Sequence, residues 1–485
     1  MAQDSSTTEA NLGTSIFKIW LIAVVARLLY AMVSPGFHAR DDYFHVLEPA
    51  LQWLDDPNWI WADSTTPGAG IRSFLLPKVV QGLLELCAAL SPSNQLRVVG
   101  GFLALWSSLI VPLSMPLIAR LCPQNRSNRL ILAWLLALHP ALIYGAPKLL
   151  IEMQCLPLLM ASLSVLVLSR HHLTKAIAGV LFGFAVYIRY QAITTATFAL
   201  IFIWLSPGKA AQKYISLLAL VAGALAGLSL GGVYDLITDG RFLGPLIQNI
   251  QVNLEPSAEL TRSSPLSYLG ILVVLACPWV IPKIQWAKLR LSPTYWALIV
   301  GALSFIVVHS ATPHKEERFL YPILPMLLLV LGPAWFALPS TSIKLRKSLV
   351  VFHLSLTVIL FTVHPQIATR QALEGLRDTE ASTLISLGPE IQSFFIRPLK
   401  ADIARNRKFT PTWLNAVIKQ KNDETFFILS YQAQTDAVER ALTETQLKCD
   451  SPAVFEQNWA DALAFKLNPR HNLRRSPIET RLCRR

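Results

Sequence analysis

Residues 16–34 read IFKIWLIAVVARLLYAMVS, and PGFHARDDYFHVLEPA follows them at 35–50. As a helix the first stretch is long enough to cross about 30 Å of hydrocarbon, with Lys18 and Arg27 as its only charges. The second places His38, Asp41, Asp42, His45 and Glu48 at the exit of that helix. A spanning helix that opens directly onto acids predicts a polytopic membrane protein with its polar chemistry gathered at the membrane boundary.

Composition agrees. Of 485 residues, 53% are hydrophobic and only 15% charged, and the mean hydropathy is +0.44. A soluble domain carries nearer a quarter charged residues, so a water-soluble enzyme and a disordered chain are both excluded. The net charge of +13, from 43 Lys+Arg against 30 Asp+Glu, fits loops that hold a membrane protein in orientation. Nucleic acid is not expected as a partner. Residues 1–15 contain no Lys or Arg and do not have the form of a cleaved secretory signal, so the first apolar run is expected to be retained.

Ten further apolar runs follow, at 96–119, 130–146, 149–169, 175–188, 191–205, 214–234, 266–282, 294–312, 319–338 and 348–364. The expected fold is therefore all-α, with about eleven transmembrane helices. One more run, 75–91, carries Lys78, Gln81 and Glu85 along one helical face and reads as an amphipathic helix lying on the membrane. With that choice, five short loops at 120–129, 170–175, 206–213, 283–290 and 341–347 fall on one side. They hold thirteen basic residues and no Asp or Glu, which marks that side as cytoplasmic. The remaining loops, including the first outer loop 35–95, then face outward and hold the polar clusters.

An odd number of spans sends residues 365–485 outward too. These 121 residues have ordinary soluble composition, with a strand expected at Thr425–Ser430 and a helix at Thr435–Leu442. The expected division is a transmembrane domain over 1–364 and a small soluble α/β domain over 365–485. Cys449 and Cys483 share that tail and can pair if it faces an oxidising compartment, whereas Cys155 and Cys277 read as small core residues.

Three segments carry candidate chemistry. Asp41 and Asp42, with Glu48 nearby, have the residue types of a general base or of a divalent-cation site; on position alone, plain loop acids are an equal reading. Pro313-His314-Lys315-Glu316-Glu317-Arg318-Phe319 is wedged between two spans. Its acids and histidine gain nothing from interfacial anchoring, and His, Lys and Arg together can cradle a lipid-linked phosphate. Arg189, in Arg189-Tyr190-Gln191, needs an anionic partner, which is equally Glu152 or a phosphate. Lys148 and Glu152, four apart, are expected to pair along a helix. Arg72-Ser73 and Asp235 are placed on outer loops and carry less weight. His139 and His353 read as core residues. Motifs for cytosolic nucleotide chemistry are absent from the sequence.

Together these residues resemble glycosyltransferase family 22, the polyprenyl-phosphate-mannose-dependent mannosyltransferases of glycolipid-anchor and N-glycan assembly. The match rests on Asp41-Asp42-Tyr43-Phe44 with Glu48-Pro49-Ala50, on Arg72-Ser73, on Arg189-Tyr190-Gln191 and above all on His314-Lys315-Glu316-Glu317-Arg318-Phe319. It spans roughly residues 20–330. Where the family starts its motif His-Pro-Asp-Glu, this chain has His38-Ala-Arg-Asp41-Asp42.

The resemblance implies a GT-C fold and an inverting mannosyltransferase on the non-cytoplasmic face. The donor would be a polyprenyl-phosphate sugar and the acceptor a lipid-linked or membrane glycan. Asp41 would be the base and Asp42 its orienting partner. His314, Lys315, Arg318 and Arg189 would hold the donor phosphate, with Glu48, Arg72, Gln191, Glu316 and Glu317 binding substrate. No cofactor is required, and nothing in the sequence supports a metal beyond the cation the two acids could accept. A bacterial inner membrane is favoured over the endoplasmic reticulum. The alternatives are a GT-C transferase of another sugar and a lipid-linked sugar transporter or flippase. A transporter should show charges on broken helices at the midplane and two related halves, which this chain does not. A scaffold displaying the soluble tail leaves the clusters unexplained.

Overall fold

Helices form along the apolar runs, and proline decides where several of them begin and stop. Pro92 and Pro293 occupy the first turns of Pro92–Ser108 and Pro293–Ala311, where a missing N–H leaves no bond unmade. Pro140 cuts the 130–146 run. His139, just before it, is driven out of the helical region to ψ 127°, so two helices, Arg126–Leu138 and Pro140–Gly145, stand where one span was expected. The 266–282 run likewise ends its α-helix, Leu269–Ala276, ahead of Pro278 and continues as the tighter turn Pro278–Lys283.

The computed structural model describes residues 2–59, 70–254, 264–289, 291–312, 315–339, 341–376, 383–389, 391–396, 402–406, 410–421, 425–469 and 472–484. Among them, six helices are long and apolar enough to cross a membrane: Leu12–Val33, Pro92–Leu121, Ile151–Leu168, Ala210–Asp239, Pro293–Ala311 and Glu317–Phe336. His172–Ile188, Tyr190–Leu205 and Pro265–Ala276 are shorter, and the 348–364 run falls mostly in the helix Ile343–Phe361, which stops three residues short of the end of that run. The chain is a largely helical multi-pass membrane protein. Leu75–Leu86 has twelve residues, about 18 Å of helix, too little to span. Lys78 donates to Gln81 (3.0 Å) and Gln81 to Glu85 (3.0 Å) along it, while Leu76, Val80 and Leu84 are buried.

The chain divides into two compact units, 1–37 with 44–360 and 38–43 with 361–485. The acidic hexapeptide His38–Tyr43 thus belongs with the C-terminal unit and not with the spans around it.

In the first unit, backbone contact between His172–Ile188 and Ala210–Asp239 rests on glycine. A Cβ on Gly179 would overlap the Leu220 carbonyl, and one on Gly183 that of Ala224; Gly223 and Gly227 face the carbonyls of Ala176 and Val180 in the same way. Lipid offers apolar side chains no gain from meeting one another, so close backbone packing through small residues does the joining. Gly231 continues the stripe by making room for the Tyr187 ring. The other side of the same long helix exposes Leu218, Leu225 and Leu230, as a lipid-facing surface does. The interior is apolar, built from residues such as Leu136, Leu156, Leu159, Phe198, Leu298, Phe305 and Met326.

The second unit is α/β. Strands β1 (Thr383–Leu387), β2 (Asp402–Asn406), β3 (Thr425–Tyr431), β4 (Lys448–Cys449), β5 (Ala453–Phe455) and β6 (Ile478–Arg484) form one sheet of order β2-β1-β3-β6-β4, with β5 also on β6. The first three are parallel, and β6 runs against β3. Helices Pro411–Lys421 and Thr435–Thr445 cover Ile385, Phe426 and Ile428 with Leu414, Ile418, Val438 and Leu442. Cys449 and Cys483 stand opposite each other in the ladder and form a disulfide.

Candidate functional site

Arg189 is where the first unit gathers its charge. It follows the helix His172–Ile188, sits in extended conformation at φ −137°, and precedes the tight turn Tyr190–Thr195, so its side chain leaves the helical path. Nη2 stands 2.8 Å from Glu152 Oε1, an ion pair with both side chains about 3% exposed. The Nε of Arg189 is buried and has no hydrogen-bond partner among the described residues. Glu152 lies in the first turn of the short helix Ile151–Gln154, where an acid suits the N–H groups of that end. Besides Arg189, the guanidiniums of Arg318 and Arg72 act electrostatically on that carboxylate.

Arg318 comes from the tight turn Glu317–Ile323, which Glu317 opens. Its guanidinium grips Glu316 as a fork, Nε to Oε2 at 2.7 Å and Nη2 to Oε1 at 3.2 Å. Arg189 and Arg318 also share one ring, lying 5.3 and 5.6 Å from the centroid of Phe319. Three arginines from distant parts of the sequence thus converge on one buried carboxylate. Of the same block, Lys315 is half-buried and donates to the Thr312 carbonyl, Glu316 is half-buried and Glu317 is exposed. His314, an expected phosphate ligand, lies outside the described residues. Arg72 and Gln191 are half-buried, and the amide oxygen of Gln191 lacks a partner among the described residues.

In the second unit, Asp42 is 3% exposed, and its Oδ2 accepts from the backbone N–H groups of His38 (2.9 Å) and Ala39 (2.8 Å). That acid closes the turn it sits in. Tyr43 fastens the same turn, its hydroxyl lying 3.1 Å from Ser393 Oγ and accepting from the Phe394 N–H. Asp41 is left half-exposed. Glu48, in the first unit, opens the helix Glu48–Asp55 and accepts from Gln52 at 3.1 Å. Among the described residues no group of three His, Cys, Asp or Glu is arranged to hold a metal ion.

Two expectations are corrected. Lys148 precedes the helix that begins at Ile151, so its spacing from Glu152 is not helical. Its ammonium is fully buried and donates to the carbonyl (2.6 Å) and hydroxyl (2.9 Å) of Ser34 beneath the rings of Tyr30 and Tyr144. Asp235 is not on a loop: it lies within the helix Ala210–Asp239, fully buried, and accepts from the Tyr187 hydroxyl at 2.6 Å. Tyr187 was not singled out by sequence, and Tyr190 entered only as part of Arg189-Tyr190-Gln191.

The family model that describes Alg9-like mannosyltransferases matches residues 18–385. Among solved structures the chain is similar to ArnT from Cupriavidus metallidurans bound to undecaprenyl phosphate. The TM-score is 0.58 at 12% identity, over 96% of this chain and 97% of that one. The apo state of that protein gives 0.62 over the same shares. The archaeal oligosaccharyltransferase AglB from Archaeoglobus fulgidus, in complex with an inhibitory peptide and a dolichol-phosphate, gives 0.53 at 13% identity, over 90% and 71%. None of the curated proteins compared with the chain matches it. The shared architecture is the GT-C fold.

Proposed function

Because the chain belongs to the Alg9-like mannosyltransferase family, we propose that it transfers mannose, with inversion, from a polyprenyl-phosphate donor to a hydroxyl of a lipid-linked or membrane glycan. The observation that carries this reading is the arginine cluster around buried Glu152: Arg189 pairs with it, Arg318 and half-buried Arg72 act on it electrostatically, and the Arg189 Nε has no partner among the described residues. Guanidiniums match phosphate oxygens in charge and geometry, and a buried donor without a partner suits a ligand that brings one. Two proteins of the same fold are described with undecaprenyl phosphate and with a dolichol-phosphate, which supports a lipid-linked donor here.

In the proposed reaction the acceptor oxygen attacks the anomeric carbon from the face opposite the phosphate. Its proton passes to the Asp41 carboxylate. The bond from the anomeric carbon to the phosphate oxygen breaks, and its electron pair leaves with polyprenyl phosphate. Arg318 and Arg189, with His314 and Lys315, stabilise the charge that grows on that phosphate. Asp42 holds the turn that carries Asp41, and Glu48, Arg72, Gln191, Glu316 and Glu317 bind substrate. The scheme needs no cofactor.

The basic loops support a cytoplasmic side opposite the site. The Cys449–Cys483 disulfide supports an oxidising compartment, a bacterial periplasm rather than an endoplasmic-reticulum lumen in our reading.

The test is transfer of labelled mannose from synthetic polyprenyl-phosphate mannose to a membrane lipid extract by purified protein in detergent. Wild type should label a lipid, and Asp41→Asn should lose about 10²-fold or more, the contribution of a general base. A protein that transfers no lipid-linked sugar but moves such lipids between leaflets would overturn the reading in favour of a transporter.

A further inference from the structure

The reaction above leaves one buried acid unused. Asp235 sits in an apolar helix with no exposed surface. Its Oδ1 accepts from Tyr187, and its Oδ2 has no hydrogen-bond partner among the described residues. An unpaired buried carboxylate oxygen is among the costlier atoms a protein can carry. A tether between the two helices does not account for it, since Gly179, Gly183, Gly223 and Gly227 already bring their backbones together.

A second buried oxygen stands in the same state three residues after Tyr187. The Tyr190 hydroxyl has no partner among the described residues. Asp235, Arg72 and Arg189 all act on it electrostatically. The segment 187–191 therefore joins the arginine cluster to a polar patch made of a carboxylate oxygen and a phenol.

The chemistry of that patch selects its ligand. A phosphate brings no hydroxyl hydrogens to donate to the Asp235 oxygen, and an apolar group would leave both oxygens unpaired. A neutral ring bearing several hydroxyls, each able to donate and to accept, satisfies the carboxylate oxygen and the phenol at once.

We propose that Asp235 and Tyr190 form the subsite that reads the hydroxyls of the donor's sugar ring, beside the arginines that hold its phosphate, with Tyr187 as the positioning residue that fixes Asp235. The proposal rests on the donor reading given above and names the residues that set which sugar is carried.

The experiment measures binding of two probes to the full-length protein in detergent, polyprenyl-phosphate mannose and bare polyprenyl phosphate. Tyr190→Phe removes an oxygen that has no hydrogen-bond partner among the described residues, so its melting temperature should match wild type. It should weaken the mannosyl lipid about 10-fold, the worth of one hydrogen bond, and leave the bare lipid within about twofold. Asp235→Asn should weaken the mannosyl lipid by about 10-fold as well. With the glucosyl epimer added as a third probe, it should also narrow the preference for the mannosyl lipid over that epimer. Tyr187→Phe should narrow that preference in the same direction by a smaller factor.

Variants that weaken both probes alike, or neither, overturn the subsite while leaving the donor reading standing. A wild type that binds neither lipid overturns the donor reading and the subsite with it.

Discussion

Glu152→Gln tests whether Arg189 serves only a structural pair or also waits for a phosphate. The carboxylate is about 3% exposed, 2.8 Å from the Arg189 guanidinium and under the influence of Arg318 and Arg72. Removing its charge leaves the buried Arg189 guanidinium uncompensated, which costs about 3–5 kcal/mol. Removing Arg189 as well takes away the orphaned charge, so Glu152→Gln with Arg189→Gln should lose less than the sum of the single variants by about 1–3 kcal/mol. Thermal unfolding in detergent reads these differences.

A ligand titration on the same samples separates the two roles. Saturation at about 100 times Kd stabilises a protein by about 2.7 kcal/mol. Polyprenyl phosphate supplies the anion that Glu152→Gln lacks, so it should stabilise that variant more than wild type. Additive single losses, within about 0.5 kcal/mol, would refute the pairing. Equal stabilisation of variant and wild type by the lipid would refute the phosphate role.

Three further outcomes follow from the packing. Gly227→Leu drives a side chain into the Val180 carbonyl and should destabilise the first unit by about 1–3 kcal/mol or more, read as a lower melting temperature, while a leucine-to-valine change at lipid-facing Leu225 should leave it nearly unmoved. Cys449→Ser removes the bridge between β4 and β6 and should cost about 2–5 kcal/mol, read as faster protease cleavage of residues 361–485 in the full-length chain. Burial pushes the Asp461 carboxyl above its ordinary range, against the pull of Arg475 at 3.4 Å. The stability its neutral form contributes is complete below the unfolded carboxylate pKa of about 4 and is lost as pH rises through the elevated folded value; Asp461→Asn should flatten that slope in unfolding curves across mildly acidic pH.

Much of the architecture could be read from the chain because the lipid environment simplifies the code. Apolar runs become helices wherever proline does not interrupt, and a run such as 75–91 gives itself away by Lys78, Gln81 and Glu85 on one face. What composition hides is which helices touch. The glycines at 179, 183, 223, 227 and 231 are spread among equally apolar residues, and their meaning appears only when two helices are brought within backbone contact.

The candidate site divides in the same way. Arg189 and Arg318 stood out because a guanidinium between spans demands an anion, and the structure supplies Glu152 to one and Glu316 to the other. Asp235 was misplaced because the apolar run appeared to end at residue 234, whereas its helix continues to Asp239 and buries it. Tyr187 carried no signal beyond adjacency and Tyr190 entered only as part of Arg189-Tyr190-Gln191, since a tyrosine at the end of a span is ordinarily an interfacial anchor. Asp41 and Asp42 were alike in sequence. Burial and backbone distinguish them: Asp42 is buried and accepts from the N–H groups of His38 and Ala39, whereas Asp41 is half-exposed.

The most direct measurement is a single turnover with synthetic polyprenyl-phosphate mannose of defined anomeric configuration, following released polyprenyl phosphate and the stereochemistry of the mannosylated product together. The account predicts one polyprenyl phosphate per mannose transferred, a product of inverted configuration, and loss of both in Asp41→Asn. Retention of configuration, or transfer undiminished in Asp41→Asn, would contradict it.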